Sequence, residues 1–251
     1  MKLNRAKAKM MAGESALGAL LQLGSIKVAN VLARSHFDFL LVDAQHGAWD
    51  LNTIEVALRD IGRLGHVGMA RVTANDFFAI GALLDRGALG IVVPMVESEE
   101  QAQAVAQAAR YEPRGRRSIG GAFMRDWQGV SEDEIKDEIF VAVQIETRLG
   151  VERAAEILSV EGIDGCWIGP KDLALSLGVQ RGDPEHDAAI MKVLEACKKT
   201  GRIPGIFEPG PGGKWLKAGF LFVTVGTDLD CITKGASAVI EPYAPPMQDQ
   251  A

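Results

Sequence analysis

The chain has 251 residues, of which 47% are hydrophobic and 24% are charged, with a formal net charge of −6. The negative charge argues against general nucleic-acid binding, which depends on an excess of Lys and Arg. No apolar run approaches the roughly 20 residues that cross a bilayer, and the basic N-terminal stretch lacks the apolar segment of a secretory signal. We therefore expect a cytoplasmic protein, not bound to a membrane, that acts on a small molecule.

Short apolar runs alternate along the chain with stretches of helical periodicity, a pattern typical of βαβ units and a parallel sheet. We predict eight strands, at residues 16–23, 37–43, 67–72, 90–95, 140–145, 165–168, 203–207 and 220–225. Eight units and this chain length favour a single-domain TIM barrel over residues 1–251. A doubly wound open sheet is the competing architecture, but no G-x-G-x-x-G follows the first strand.

Polar residues stand where several predicted strands end. Because a TIM barrel builds its active site at the carboxyl ends of its strands, these residues predict the site. They are Asp43 and His46 after strand two, Arg71 in strand three, Gln144 and Glu146 at strand five, and Gly169, Pro170 and Asp172 after strand six.

Glu146 and Asp172 project from adjacent strands and have no Cys or second His near them in the sequence. Two carboxylates suit a hard octahedral ion such as Mg²⁺ or Mn²⁺ and leave coordination positions for a 2-oxo acid. A metal bound there would stabilise an enolate, which is aldolase chemistry. Helix N-caps or salt bridges would use the same two residues equally well.

His46 is a candidate base, with Asp43 three residues earlier as a carboxylate that could fix its tautomer. A histidine satisfied by its neighbours is the commoner arrangement. Arg71 interrupts an apolar strand, where burial of a guanidinium requires an anion or several acceptors. That anion is a substrate carboxylate or enolate in one interpretation, and the partner of a structural ion pair in the other.

Two further segments are candidates for binding anions. The basic stretch 114–118 could draw an anionic substrate toward the barrel mouth, or be a solvated loop. The glycines of 210–214 follow strand seven, near the place where barrels often bind phosphate, but they lack the P-loop spacing.

A Schiff-base aldolase would need a lysine in an apolar setting. No predicted strand contains a lysine, and Lys171, in the loop beside Asp172, is the one serious candidate. The sequence therefore favours the metal route.

Five segments of the chain together resemble the HpcH/HpaI aldolase family of metal-dependent pyruvate aldolases. The segments Val-Gln-Ile-Glu-Thr and Ile-Gly-Pro-Lys-Asp, in this order and at this separation, are the most specific. The five segments are residues 37–46, 93–96, 110–118, 143–147 and 161–178.

The resemblance implies a reaction that cleaves or forms 4-hydroxy-2-oxo acids from pyruvate and an aldehyde, with Mg²⁺, Mn²⁺ or Co²⁺ as cofactor. It also implies a role for each candidate residue. Glu146 and Asp172 would hold the metal, His46 supported by Asp43 would move the proton, and Arg71 would stabilise the oxyanion. Gln144 would line the pyruvate site, and the backbone of Gly169, Pro170 and Lys171 would receive the pyruvate carboxylate.

The resemblance further implies a hexamer in which the C-terminal helix is exchanged between neighbouring subunits. One position departs from the family, since Gln45 precedes His46 where the family often has Glu. We expect this neutral residue to shift the pH optimum or the preferred nucleophile without removing activity.

Three alternatives share the barrel. A citrate-lyase or malyl-CoA type lyase needs room for coenzyme A, which the short chain disfavours. An oxaloacetate-type decarboxylase would pass through the same enolate. A catalytically silent barrel that only binds a small acid would not need Asp43, His46, Arg71, Glu146 and Asp172 together.

Overall fold

A computed structural model describes residues 4–120, 132–210 and 212–243. Eight parallel strands close into one barrel in sequential order, which confirms the predicted TIM barrel over the open sheet. The strands are β1 (Ala16–Leu21), β2 (Phe39–Asp43), β3 (Val67–Arg71), β4 (Gly90–Val93), β5 (Phe140–Ile145), β6 (Gly165–Ile168), β7 (Gly205–Phe207) and β8 (Phe222–Thr227).

Helices connect the strands, and within the described residues none is long and apolar enough to cross a membrane. They are α1 (Arg5–Met11), α2 (Ile26–Leu32), α3 (Leu51–Arg63), α4 (Phe77–Asp85), α5 (Glu99–Ala109), α6 (Glu132–Ile135), α7 (Arg148–Glu152), α8 (Ala154–Ser159), α9 (Pro170–Leu177), α10 (Pro184–Thr200), α11 (Lys214–Ala218) and α12 (Asp228–Ile240), followed by a 3₁₀ turn at Glu241–Tyr243.

All eight predicted strands are present, and their bounds differ by at most two residues at either end. β7 begins at Gly205 instead of Ile203 because Pro204 has no N–H to donate to a neighbouring strand. β8 begins at Phe222 instead of Phe220 because the N–H of Phe220 donates to the Trp215 carbonyl and closes the end of α11. Local hydrogen bonds therefore set the ends of the strands.

Aromatic rings fill the barrel at the amino ends of its strands. Phe39, Phe140 and Phe222 are each the first residue of a strand and are fully buried. The ring centroid of Phe222 lies 4.6 Å from that of Phe39 and 5.0 Å from that of Phe140. A Cβ at Gly18 would lie 2.3 Å from the Phe39 ring, so glycine is required there to make room for it.

Below these rings, ion pairs and backbone hydrogen bonds secure the amino end of the barrel. Arg110 is buried, and its Nη2 lies 2.6 Å from Asp164 Oδ2 while its Nε donates to the Gly162 carbonyl. Lys7 in α1 donates to the Ile139 carbonyl and also contacts Asp164. Burial lowers the pKa of Lys7, and the charge of Asp164 opposes that effect.

The basic stretch 114–118 belongs to this amino end, which disfavours the first of its two interpretations, that it draws an anionic substrate toward the barrel mouth. Arg114 pairs with Asp137 just before β5, and Arg117 pairs with Asp85 at the last turn of α4. Helices antiparallel to the strands end at the amino side of the barrel, which places both pairs opposite the carboxyl ends of the strands.

Candidate active site

The period of two along each strand determines which polar residues enter the barrel. Residues two and four positions after the buried Phe39 share its face, and the last of them is Asp43. From Phe140 the same count reaches Gln144 and then Glu146. The interior that begins as aromatic rings at the amino end therefore becomes polar at the carboxyl end.

Asp43 and Arg71, opposite each other in the pairing of β2 with β3, form a buried bidentate ion pair. Arg71 Nε donates to Asp43 Oδ1 at 2.8 Å and Nη2 donates to Oδ2 at 2.5 Å. Gln22 adds a third donor, from its Nε2 to Asp43 Oδ2 at 2.8 Å. Burial alone would raise the pKa of Asp43, but the hydrogen bonds and charge of Arg71, together with Gln22, hold it below its usual value.

Trp167 of β6 fixes Arg71 from the other side. The guanidinium carbon lies 5.4 Å from the centroid of the Trp167 ring, and the indole N–H donates to Thr224 Oγ1 at 3.0 Å. A guanidinium carries five N–H donors, of which Asp43 takes two. Asp43 and Trp167 therefore hold the Arg71 guanidinium from two sides. Its N–H groups that do not bond to Asp43 remain available at the barrel mouth.

Glu146 is buried beyond the end of β5 and accepts two hydrogen bonds. The backbone N–H of Met95 donates to its Oε1 at 3.0 Å, and the side chain of Gln144 donates to its Oε2. Met95 has a φ of +58°, a conformation that L-residues with long side chains rarely adopt. Burial raises the pKa of the Glu146 carboxyl, and the negative charge of Asp172 raises it further. The two hydrogen bonds act in the opposite direction but do not cancel the increase.

The turn from Gly169 to Asp172 begins α9 next to Glu146. No side chain caps the first turn of this helix, and Pro170 occupies its first position. A Cβ at Gly169 would lie 2.8 Å from Glu146 Oε2 and 3.1 Å from Gln144 Nε2. Glycine at this position therefore lets the backbone approach the two polar side chains closely.

His46 is exposed at the mouth, and its relation to Asp43 differs from the prediction. Asp43 Oδ1 accepts from the backbone N–H groups of Gln45 and His46, each at 3.2 Å, and Arg71 and Gln22 donate to the same carboxylate. The imidazole has no hydrogen-bond partner among the described residues. Asp43 thus orients the loop that carries His46 and does not fix the ring's tautomer.

One cavity of about 500 Å³ joins these groups. Seven of the nine predicted site residues line it, namely His46, Arg71, Gln144, Gly169, Pro170, Lys171 and Asp172. The other two bond to the lining, since Asp43 pairs with Arg71 and Glu146 accepts from Gln144. Tertiary structure therefore brings all nine together.

Several contributing residues were not predicted. Gln22, Trp167, Leu20, Phe207 and Thr227 also line the cavity. The period of two could have indicated Gln22 and Trp167, since both lie near strand ends on the inward face, but nothing in the sequence marks the backbone strain at Met95.

After the glycine-rich segment that follows β7, the backbone N–H groups that could bind a phosphate already donate to a side chain. Glu208 accepts from the N–H groups of Trp215 and Leu216, the first turn of α11, at 2.9 and 3.1 Å. A carboxylate thus stands where a phosphate would bind, and the described residues of the segment do not form a phosphate site.

The donor set fits a divalent cation. Glu146 and Asp172 are two neighbouring carboxylates, no described cation forms an ion pair with either, and the Oε1 atom of the buried Gln144 lacks a hydrogen-bond partner. No group of three or more His, Cys, Asp or Glu gathers in the described part of the chain. Two carboxylates suit an ion that keeps water or substrate as its other ligands.

Known proteins resemble this chain over most of its length. The profile of the HpcH/HpaI aldolase/citrate lyase family matches residues 18–234. The chain is 35% identical to a 4-hydroxy-2-oxo-heptane-1,7-dioate aldolase of Shigella boydii serotype 18, covering 94% of this chain and 93% of the relative. It is 36% identical to a 4-hydroxy-2-oxovalerate aldolase of Rhodococcus jostii, covering 96% of both.

A crystal structure of an HpcH/HpaI aldolase from Desulfitobacterium hafniense DCB-2 superposes with a TM-score of 0.88 at 28% identity, covering 96% of this chain and 98% of the other. The barrel fold, together with the family and the names of these relatives, supports a lyase or aldolase. The chain belongs to the HpcH/HpaI aldolase/citrate lyase family.

Proposed function

We propose that this protein is a divalent-metal-dependent aldolase that cleaves 4-hydroxy-2-oxo acids into pyruvate and an aldehyde, or runs the reverse condensation. One observation carries the proposal. A single cavity is lined by Arg71, His46, the turn at Gly169 and the carboxylate of Asp172, and the carboxylate of Glu146 accepts from Gln144 of this lining. These are the groups needed to bind a 2-oxo acid and to stabilise the negative charge that develops on its C2 oxygen.

Glu146 and Asp172 would hold the cation, which is Mg²⁺, Mn²⁺ or Co²⁺. When bound, such an ion supplies positive charge that stabilises an enolate. Gln144 orients Glu146 through its amide N–H, and its buried Oε1 has no hydrogen-bond partner among the described residues. The backbone of Gly169, Pro170 and Lys171 would receive the substrate carboxylate at the start of α9, where no side chain caps the helix. The donors are the N–H groups of Gly169 and Lys171, since proline has none.

During cleavage, His46 accepts the proton of the C4 hydroxyl, directly or through a water molecule. The C3–C4 bond breaks, its electron pair moves toward the C2 oxygen, and an aldehyde leaves. Arg71 donates to that oxygen with the N–H groups that Asp43 does not use. A proton delivered to C3 then completes pyruvate.

Lys171 is exposed and lines the same cavity. An exposed amine lacks the desolvation that makes a lysine a good Schiff-base nucleophile, which supports the metal route. Borohydride trapping with pyruvate tests this point, because only a Schiff base would give a permanent adduct of the protein.

A second candidate follows from the family description, which includes citrate lyase. A lyase or decarboxylase acting on an oxaloacetate-like acid would use the same carboxylates and Arg71. Analysis of the products formed from oxaloacetate separates the two, since decarboxylation releases CO₂ and needs no aldehyde.

We also propose that α12 packs on a neighbouring subunit of a homo-oligomer, a hexamer by the family resemblance. Beyond the buried Asp228, this helix is largely exposed, and Leu229, Val239 and Ile240 are more than half exposed. Exposed apolar side chains of this kind mark an interaction surface. Light scattering of the whole chain and of an Ile240→Glu variant tests it, and an unchanged mass in the variant would count against the interface.

The main experiment measures pyruvate release from several 4-hydroxy-2-oxo acids by chelator-stripped protein, before and after Mg²⁺, Mn²⁺ or Co²⁺ is restored. We expect no release without metal and recovery with it. Release that the chelator does not affect would contradict the metal mechanism, and binding of the acids without turnover under any metal would indicate a silent barrel.

A further inference from the structure

A second, smaller pocket opens beside the active-site cavity on the same face of the barrel. Its volume is about 230 Å³, and it shares Pro170 and Phe207 with the cavity as common walls. Sites that take a whole drug-sized ligand measure roughly 300–1,000 Å³. A pocket of this size next to the cavity suits one end of a substrate and not a separate ligand.

The charges around the pocket leave one cation without a partner. Lys214 pairs with Asp187 and also lies over the Trp215 ring, and Glu208 accepts two backbone N–H groups. Arg181 lines the same pocket and has neither an ion pair nor a side-chain hydrogen bond among the described residues. Two cations and two carboxylates thus line the pocket, and the guanidinium of Arg181 forms no ion pair with either Asp187 or Glu208.

The loop that carries Arg181 is tied to the wall of the active-site cavity. Buried His186 donates from Nε2 to the Pro170 carbonyl at 2.8 Å and accepts from the Gly182 N–H at Nδ1 at 3.3 Å. The turn is also closed on itself, because Asp183 Oδ2 accepts from the Gln180 N–H at 2.9 Å. These hydrogen bonds fix the backbone of the loop beside Arg181 relative to Pro170.

Relatives of nearly equal identity do not decide what enters this pocket. The relative from Shigella boydii is named for a heptane-1,7-dioate, which has two carboxylates. The relative from Rhodococcus jostii is named for a valerate, which has only one. The choice must therefore come from residues of this chain.

We propose that Arg181 is a specificity-determining residue that binds a carboxylate at the far end of the aldehyde half of the substrate, which rests on the proposed aldolase function. The preferred substrates are then 4-hydroxy-2-oxo dioates. A guanidinium binds a carboxylate through two parallel N–H donors, and this charge-assisted contact is stronger than one to a neutral group.

The test compares kcat/KM for two compounds with the same seven-carbon skeleton, 4-hydroxy-2-oxoheptanedioate and 4-hydroxy-2-oxoheptanoate. We expect the wild-type enzyme to prefer the dioate by about five- to tenfold, mainly through KM, and the preference to shrink as salt screens the exposed charge. Arg181→Ala should abolish the preference and leave cleavage of the monoacid unchanged. Arg181→Lys should keep part of it.

Arg34 provides the matched control, because it is an exposed arginine without a side-chain partner among the described residues and lies after α2, away from the mouth. Arg34→Ala should keep the full preference. Pyruvate release from both compounds with no preference, or an equal loss for both in Arg181→Ala, would overturn the role of Arg181 while leaving the aldolase intact. No pyruvate from either compound with any metal would overturn the proposed function and this role with it.

Discussion

Both ends of the barrel contain buried charged groups, but these charges are paired differently at the two ends. At the amino end, Arg110, Lys7 and Asp164 satisfy one another and the neighbouring carbonyls. At the carboxyl end, Glu146 forms no ion pair and Gln144 Oε1 accepts no hydrogen bond within the described chain, although the charge of Arg71 acts on Glu146 from a distance. A buried carboxylate that forms no ion pair costs free energy, so Glu146 marks the carboxyl end as the site of function.

The largest expected effect tests this difference directly. Glu146→Gln removes a proposed metal ligand, and we expect pyruvate release to fall by about a thousandfold, since a metal ion contributes several kcal/mol to charge stabilisation. Burial and Asp172 already disfavour the ionised carboxyl, so the metal-free variant should be at least as stable as the wild type. Urea unfolding in chelator measures stability, and a clear loss would show that Glu146 is structural.

Asp43 is the exception at the carboxyl end, because it is fully paired. Asp43→Asn leaves Arg71 buried without its counter-charge, and we expect the unfolding free energy to fall by about 3 kcal/mol at pH 7. The folded protein holds the pKa of Asp43 below its unfolded value near 4, so this stabilisation is present above about pH 4 and is lost as the pH falls through the folded value. A difference between wild type and variant that stays constant from pH 7 to pH 3 would contradict this.

Asp164→Asn is the matching change at the amino end. It weakens the contacts with Arg110 and Lys7, and we expect a loss of about 2 kcal/mol in unfolding free energy because Asp164 is only partly buried. The kcat for pyruvate release, measured well below the unfolding temperature, should stay within about twofold of wild type. A large fall in kcat would mean that the two ends are coupled.

One glycine at each end of the barrel, Gly18 and Gly169, allows the effect of a Gly→Ala substitution to be compared between the two ends. Gly18→Ala places a methyl against the Phe39 ring and should cost about 1–3 kcal/mol of stability with little change in kcat. Gly169→Ala places it against Glu146 and Gln144, and should lower kcat about tenfold or more for a similar or smaller loss of stability. Thermal unfolding and pyruvate release, measured on both variants, would contradict the comparison if both lost activity equally.

The smallest expected effect concerns Gln45, whose buried Oε1 has no hydrogen-bond partner. Gln45→Glu adds a negative charge beside His46 that favours the protonated imidazole, so the pH–rate profile should move to higher pH by about half a unit, with activity retained. An unchanged profile together with an unchanged substrate preference would contradict a role for this position.

Periodicity in the sequence determined the barrel and the residues that reach its mouth. Eight apolar runs gave the strands to within two residues at either end, because buried parallel strands must be apolar on both faces. The same regularity identified Asp43, Arg71, Gln144 and Glu146, which interrupt or follow those runs.

Tertiary structure alone decided how those residues pair. Asp43 bonds to Arg71 instead of the His46 ring because β2 and β3 lie side by side in register, a relation that links residues 28 positions apart. The stretch 114–118 lies at the amino end because Asp85 and Asp137, its partners, are brought there by α4 and the approach to β5. Local patterns report the face of a strand or helix, whereas the partner of a charge depends on which elements the closed barrel makes neighbours.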